Sequence, residues 1–122
     1  MTDFLFYLAF ATLVAHELDA VHKHEWRLLF ILRGMPDGSA RRAFVLIHIP
    51  LLATLFWLVA HPVESTRFWT MLSLDVFIVV HAGLHWRLSK HPKYEFHTLY
   101  SRFIIYGAAA LAATHLFLLL HG

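Results

Sequence analysis

Cysteine is absent from this chain, which excludes disulfides, thiolate metal sites and cysteine nucleophiles, though it says nothing of redox compartment. Charge is scarce. Only 15% of the 122 residues are Asp, Glu, Lys or Arg, whereas 59% are hydrophobic, and the mean hydropathy is +0.60. A soluble domain of this length carries more polar surface, so the composition indicates an integral membrane protein. No basic stripe alternates with exposed aromatics. The pI near 9.2 therefore points to a basic membrane face and not to nucleic acid. There is no internal repeat, no low-complexity tract and no domain boundary, so residues 1–122 read as a single transmembrane domain. The start, Met1-Thr2-Asp3, lacks a basic n-region, and the first apolar run ends in His-Glu-Leu-Asp-Ala, so it reads as a retained helix and not a cleaved signal peptide.

What is present is four apolar segments, each near the roughly 20 residues that span a bilayer. The first runs from about Phe4 to Val21. The helical spacing of Trp26, Leu29, Phe30 and Arg33 predicts that it continues as an amphipathic helix to the Gly34-Met35-Pro36-Asp37-Gly38 turn. The second spans about Ala40 to Ala60, with Ser39 as a cap and Pro50 inside. The third starts after a Ser65 or Thr66 cap and reaches about Ser89; the fourth runs from Tyr94–His97 to about Leu120. The fold class is thus an all-α integral membrane four-helix bundle. Basic residues crowd the first and third connections (Lys23, Arg27, Arg33, Arg41, Arg42; Arg87, Lys90, Lys93, Arg102), with only Arg67 near the second. That asymmetry places those connections in the cytoplasm and both termini on the non-cytoplasmic side, with a bacterial inner membrane as the expected location. Trp26, Trp86, Tyr94 and Tyr100 would mark the inner interface, and Trp57, Trp69 and Tyr7 the outer one.

Ionisable side chains interrupt these apolar runs at matching depths. His16 lies roughly 18 Å from Phe4 at helical rise, in the cytoplasmic half. His48, His81, His85 and His97 fall in the same half on the other three helices. Such residues are costly at membrane depth and usually face a bundle interior with a task. His81 and His85, four apart, share a helix face suited to chelation, and His16 and Asp19 are three apart. Histidine with carboxylate and without sulfur suits a divalent metal, zinc or iron first. The expected ligands are His16, Asp19, His48, His81 and His85, with His97, Glu25 and Asp75 as further candidates. Glu17 or Asp19 would serve as general base. Glu17 lies about 100° from His16 and faces a different neighbour. Glu25 drifts away from His16 on a continuous helix and would pair with Arg87 or Arg102. Taken singly, a membrane histidine needs no more than an interhelical hydrogen bond. On that plainer reading His115 is a lone, packed side chain, His61 and His121 are outer-interface residues, and His22, His24 and His91 are solvated. Asp75, near the midplane, is protonated, hydrogen-bonded to a helix neighbour or part of a proton path.

The stretch His16-Glu17-Leu18-Asp19-Ala20 with Glu25-Trp26-Arg27 resembles the signature of a group of small bacterial four-helix membrane proteins of unknown function. The resemblance implies importance for His16, Glu17, Asp19, Glu25 and Arg27 and supplies no activity. His81-x-x-x-His85 matches one box of the membrane di-iron enzymes, but no His-x-x-His-His follows. Three functions compete. The first is a metal-dependent enzyme, a hydrolase or oxidoreductase, acting on a lipophilic small molecule from the cytoplasmic leaflet. The second is a non-catalytic carrier or assembly subunit. The third is a b-type haem or quinone electron carrier with two histidines as axial ligands. No residue spacing marks a lipid or quinone slot. The small-residue face Gly107-Ala108-Ala109-Ala110 with Ala112 and Ala113 suits close packing within the bundle or a homodimer.

Overall fold

The structure, a computed structural model, describes residues 2–122, with side chains from Asp3 onward. Met1, where the reading of an uncleaved start begins, lies outside the described residues. Four helices are long and apolar enough to cross a membrane: α1 (Thr2–His22), α2 (Asp37–Val59), α3 (Glu64–Leu88) and α4 (Leu99–His121). There is no strand among the described residues.

The helix starts differ from expectation. α2 begins two residues before Ser39, at Asp37, directly after the extended Pro36; an acid in the first turn suits the helix dipole. α3 begins at Glu64 with no side-chain cap. α4 begins later than expected because Thr98 caps it, its hydroxyl accepting from the Ser101 amide at 3.1 Å. The irregular stretch 94–98 is thereby free to tuck Tyr94 and Phe96 inward, where both are buried.

The first helix also stops early. Its ladder ends with Lys23 N donating to Asp19 O, and His24 adopts the left-handed conformation at φ 56° and ψ 42°. A single 3₁₀ turn, Glu25–Arg27, follows. Local helical spacing beyond Val21 loses to tertiary contacts here, because the turn buries Trp26 and Glu25, which a continued helix would leave outside. Trp26 is therefore core and not an interfacial anchor, and the same holds for Tyr94.

α1 packs mainly on α4, and α4 on α3; α2 sits at the edge, held chiefly by α3 and the 3₁₀ turn. Ala9, Ala108 and Ala112 are buried, and such small side chains let helices approach closely. Two apolar clusters fill the bundle. One gathers Phe6, Phe10, Leu13, Leu74 and Ile78; the other gathers Ala20, Trp26, Phe44, Ala82 and Phe96. The boundary between them falls between Leu13 and Ala20 on α1 and between Ile78 and Ala82 on α3, which is where His16 and His81 sit.

Within the first cluster lies a buried polar pair. His115 is not alone: its Nδ1 is 2.6 Å from Asp75 Oδ2, and both side chains are wholly buried. Removing one member of such a pair strands the other in an apolar core. Asp75→Leu is expected to destabilise the purified protein by about 3 kcal/mol, and the double change Asp75→Leu/His115→Leu to restore most of that loss. Thermal melts in detergent check this, and a double variant as unstable as the single one would show that the pair contributes more than mutual neutralisation.

Candidate metal centre

The sequence His16-Glu17-Leu18-Asp19 sends its three polar side chains to three different helices. His16 faces α3, with Nε2 3.0 Å from His81 Nε2. Glu17, one residue and about 100° further round, faces α2, where its Oε2 lies 2.9 Å from His48 Nε2. Asp19 faces α4 and accepts from the Ser101 hydroxyl at 2.6 Å. Leu18 between them is exposed.

His16, His81 and His85 converge with Glu25, and their ligand-type atoms all lie within 4.8 Å of one another. Glu25 Oε2 is 3.3 Å from His16 Nε2 and 3.8 Å from His85 Nε2; Oε1 is 4.0 Å from His81 Nε2. His16, Glu25 and His85 are buried, and His81 is partly so. Tetrahedral zinc with nitrogen ligands at 2.0–2.1 Å sets neighbouring donors about 3.3 Å apart. The His16–His81 and His16–Glu25 separations are near that value and the others are wider, so the group could hold a small divalent ion once drawn together. One buried atom facing the centre, Glu25 Oε2, has no hydrogen-bond partner, as a group able to meet a cation or proton would leave it. Burial alone pushes the Glu25 carboxyl upward, but the adjoining His16 imidazole, with His85 and His81 behind it, outweighs burial and holds it below its ordinary value.

Supporting contacts orient the group. His85 Nδ1 is 3.1 Å from the Tyr94 hydroxyl. With Nδ1–H donating to that oxygen, the Nε2 lone pair is left facing the centre. Burial pushes the Tyr94 hydroxyl upward, so it stays protonated. Phe96 packs against both His16 and His85, at ring separations of 5.5 and 4.7 Å. Glu25 is aimed inward by a clasp on the other side of its turn. Trp26 Nε1 donates to Asp37 Oδ1 at 2.8 Å, Arg27 donates to both Asp37 oxygens, and His24 Nδ1 lies 2.7 Å from Glu95 Oε2.

Of the expected ligands, His16, His81 and His85 come together. Asp19 is engaged by Ser101, His48 by Glu17, and Asp75 by His115; His97 is exposed beside the Tyr94 ring. Glu25 meets neither Arg87 nor Arg102 and joins the histidines, since the left-handed residue turns it back on the bundle. Tyr94, read as an interface marker, and Asp37, read as part of a turn, were not singled out as site residues by sequence reasoning. The only signal for the turn was the Glu25-Trp26-Arg27 triplet itself.

An apolar cavity of about 550 Å³ opens beside the centre between α1, α2 and α3. Its polar end carries Glu17, Glu25, His48 and His81; Phe10, Leu52, Leu55 and Leu74 line its far part. The chain belongs to the family of unknown function DUF6713, whose model matches residues 2–122. No curated protein and no solved structure matches it.

The clasp can be tested directly. Asp37→Ala removes the acceptor shared by Trp26 and Arg27. Amide exchange across residues 24–28 is expected to rise roughly tenfold, the equivalent of one or two such bonds, while α3 stays protected. Unchanged exchange would mean that the turn holds without Asp37.

Proposed function

We propose that this is an integral membrane metalloprotein in which His16, His81, His85 and Glu25 hold one divalent ion, zinc or iron. The observation that carries the reading is their convergence: four buried or partly buried donors from α1, the 3₁₀ turn and α3 with donor atoms within 4.8 Å. The outer faces support membrane insertion. Ile49, Phe56, Trp57, Trp69 and Phe103 are each more than half exposed, a belt that water does not favour. The charge asymmetry of the connections supports an orientation with the centre toward the cytoplasmic face and both termini on the other side, and the location in this reading is a bacterial inner membrane.

The protein acts as a metal-dependent enzyme on a lipophilic substrate from the cytoplasmic leaflet. The apolar cavity supports this, because its polar end is formed in part by Glu25 and His81 of the centre. A bound ion supplies Lewis acidity toward a water or carbonyl oxygen. The chain's own contribution is orientation: Tyr94 holds the His85 ring in place through Nδ1, Phe96 excludes water from one side, and the clasp holds Glu25 in place. The arrangement favours an ion over haem. His16, His81 and His85 crowd onto one another at ring separations of 4.7–5.0 Å, with no opposed pair set apart for a flat macrocycle.

Elemental analysis of detergent-purified protein is expected to find one zinc or iron per chain. His81→Ala/His85→Ala should reduce it to background, and Tyr94→Phe should weaken metal affinity about 10-fold or more. Occupancy should also fall on acidification, because imidazole and carboxylate bind metal only when deprotonated. Wild-type protein that takes up no zinc, iron or manganese on reconstitution, or a double variant with full occupancy, would overturn the reading.

A further inference from the structure

The Glu17–His48 pair stands outside the metal centre, yet shares a cavity with it. His48 Nδ1 lies 2.6 Å from the Phe44 carbonyl oxygen, which only accepts. That nitrogen therefore carries a proton and donates. The other nitrogen, Nε2, is 2.9 Å from Glu17 Oε2. A hydrogen bond there needs one proton between the two atoms, on the imidazole with Glu17 ionised or on Glu17 with His48 neutral. Either way the pair is neutral as a whole and holds one proton that shifts across a single short contact. Both residues face the polar end of the cavity, beside Glu25 and His81.

The rest of that cavity has the opposite character. From Glu17 back to Phe10 on α1, and from His48 on to Leu55 on α2, the walls extend roughly 10 Å along the bundle at helical rise. Beyond the polar end the lining is leucine, phenylalanine, valine and isoleucine. A volume of about 550 Å³ is that of a site for one small molecule. A proton-sharing pair that is neutral as a whole suits an uncharged head that both donates and accepts hydrogen bonds.

We propose that the cavity binds a single-chain, uncharged amphiphile, a fatty alcohol, ester or amide, with its chain between α1, α2 and α3 and its polar head against Glu17 and His48. The inference deepens the metal-centre reading by naming the substrate class that reaches His81 and Glu25. It rests on that reading only for the chemistry after binding.

The test is photolabelling in phosphatidylcholine vesicles with a monoacylglycerol carrying a diazirine at its chain end. Label is expected on peptides containing Leu52, Leu55 and Leu74, and excess unlabelled monoacylglycerol should reduce it at least fivefold. A fatty acid of equal chain length should compete several-fold less well. Leu55→Trp, which fills the slot, should remove most of the label, while the outward control Ile49→Trp leaves it in place. Label spread evenly over outward positions such as Ile49 and Phe56, with no competition in the wild-type protein, would mean contact with bulk lipid and overturn the proposal. The His81→Ala/His85→Ala variant separates the two readings. Competable labelling that persists there upholds the slot whether or not the protein binds metal, and a metal-loaded wild type without competable label defeats the slot alone.

Discussion

One residue in an uncommon backbone conformation governs the centre. His24, at φ 56°, ends α1 and reverses the chain so that Glu25 enters the bundle. A non-glycine residue in this region costs on the order of 1–2 kcal/mol, and histidine is among the types that tolerate it best. The cost is offset by what the reversal brings: burial of Trp26, the contacts of Arg27 and Trp26 with Asp37, and the His24–Glu95 contact. Without that turn three histidines would face one another with no carboxylate among them.

The electrostatics of the centre follow from this. Three imidazole Nε2 atoms converge, and no more than a proton or a cation can occupy the space their lone pairs share. Glu25 supplies the negative charge that makes a cation welcome. Burial of the carboxylate would be unfavourable by itself, and it is the neighbouring imidazoles that reverse the balance. Around the centre every other buried or partly buried acid of the helices is matched within the protein: Glu17 by His48, Asp19 by Ser101, Asp75 by His115.

Four helices, most of their approximate ends though not the C-terminal end of α1, and the shared face of His81 and His85 were legible in the sequence, because long apolar runs and four-residue spacing are local signals. The placement of Asp19 on α1 was not, although His16 was expected beside them and Glu17 toward a different neighbour. His16 and Asp19 are neighbours on one helix face by spacing, but about 60° of rotation separates them, enough to assign one to α3 and the other to α4. Choosing between those neighbours needs the helix order around the bundle, which no local pattern encodes. Glu25 was obscured for a related reason. Its direction depends on where α1 stops, and His22-Lys23-His24 carries no glycine or proline to mark the stop. The cavity likewise arises from how loosely α2 rests on its neighbours, a property of packing rather than of any one segment.

The buried Asp75–His115 contact has a mechanical meaning beyond its strength. Sliding α4 along α3 by a single turn, about 5.4 Å, would part the two groups and leave each facing hydrocarbon side chains. Even in the present alignment the far atoms, Asp75 Oδ1 and His115 Nε2, have no partners, so the short contact is what satisfies the pair. The contact therefore works as a detent that permits one alignment of these helices. Of the four rods, α2 rests least closely on its neighbours and has no such key in that half, so any parting that admits a guest between the rods falls to it.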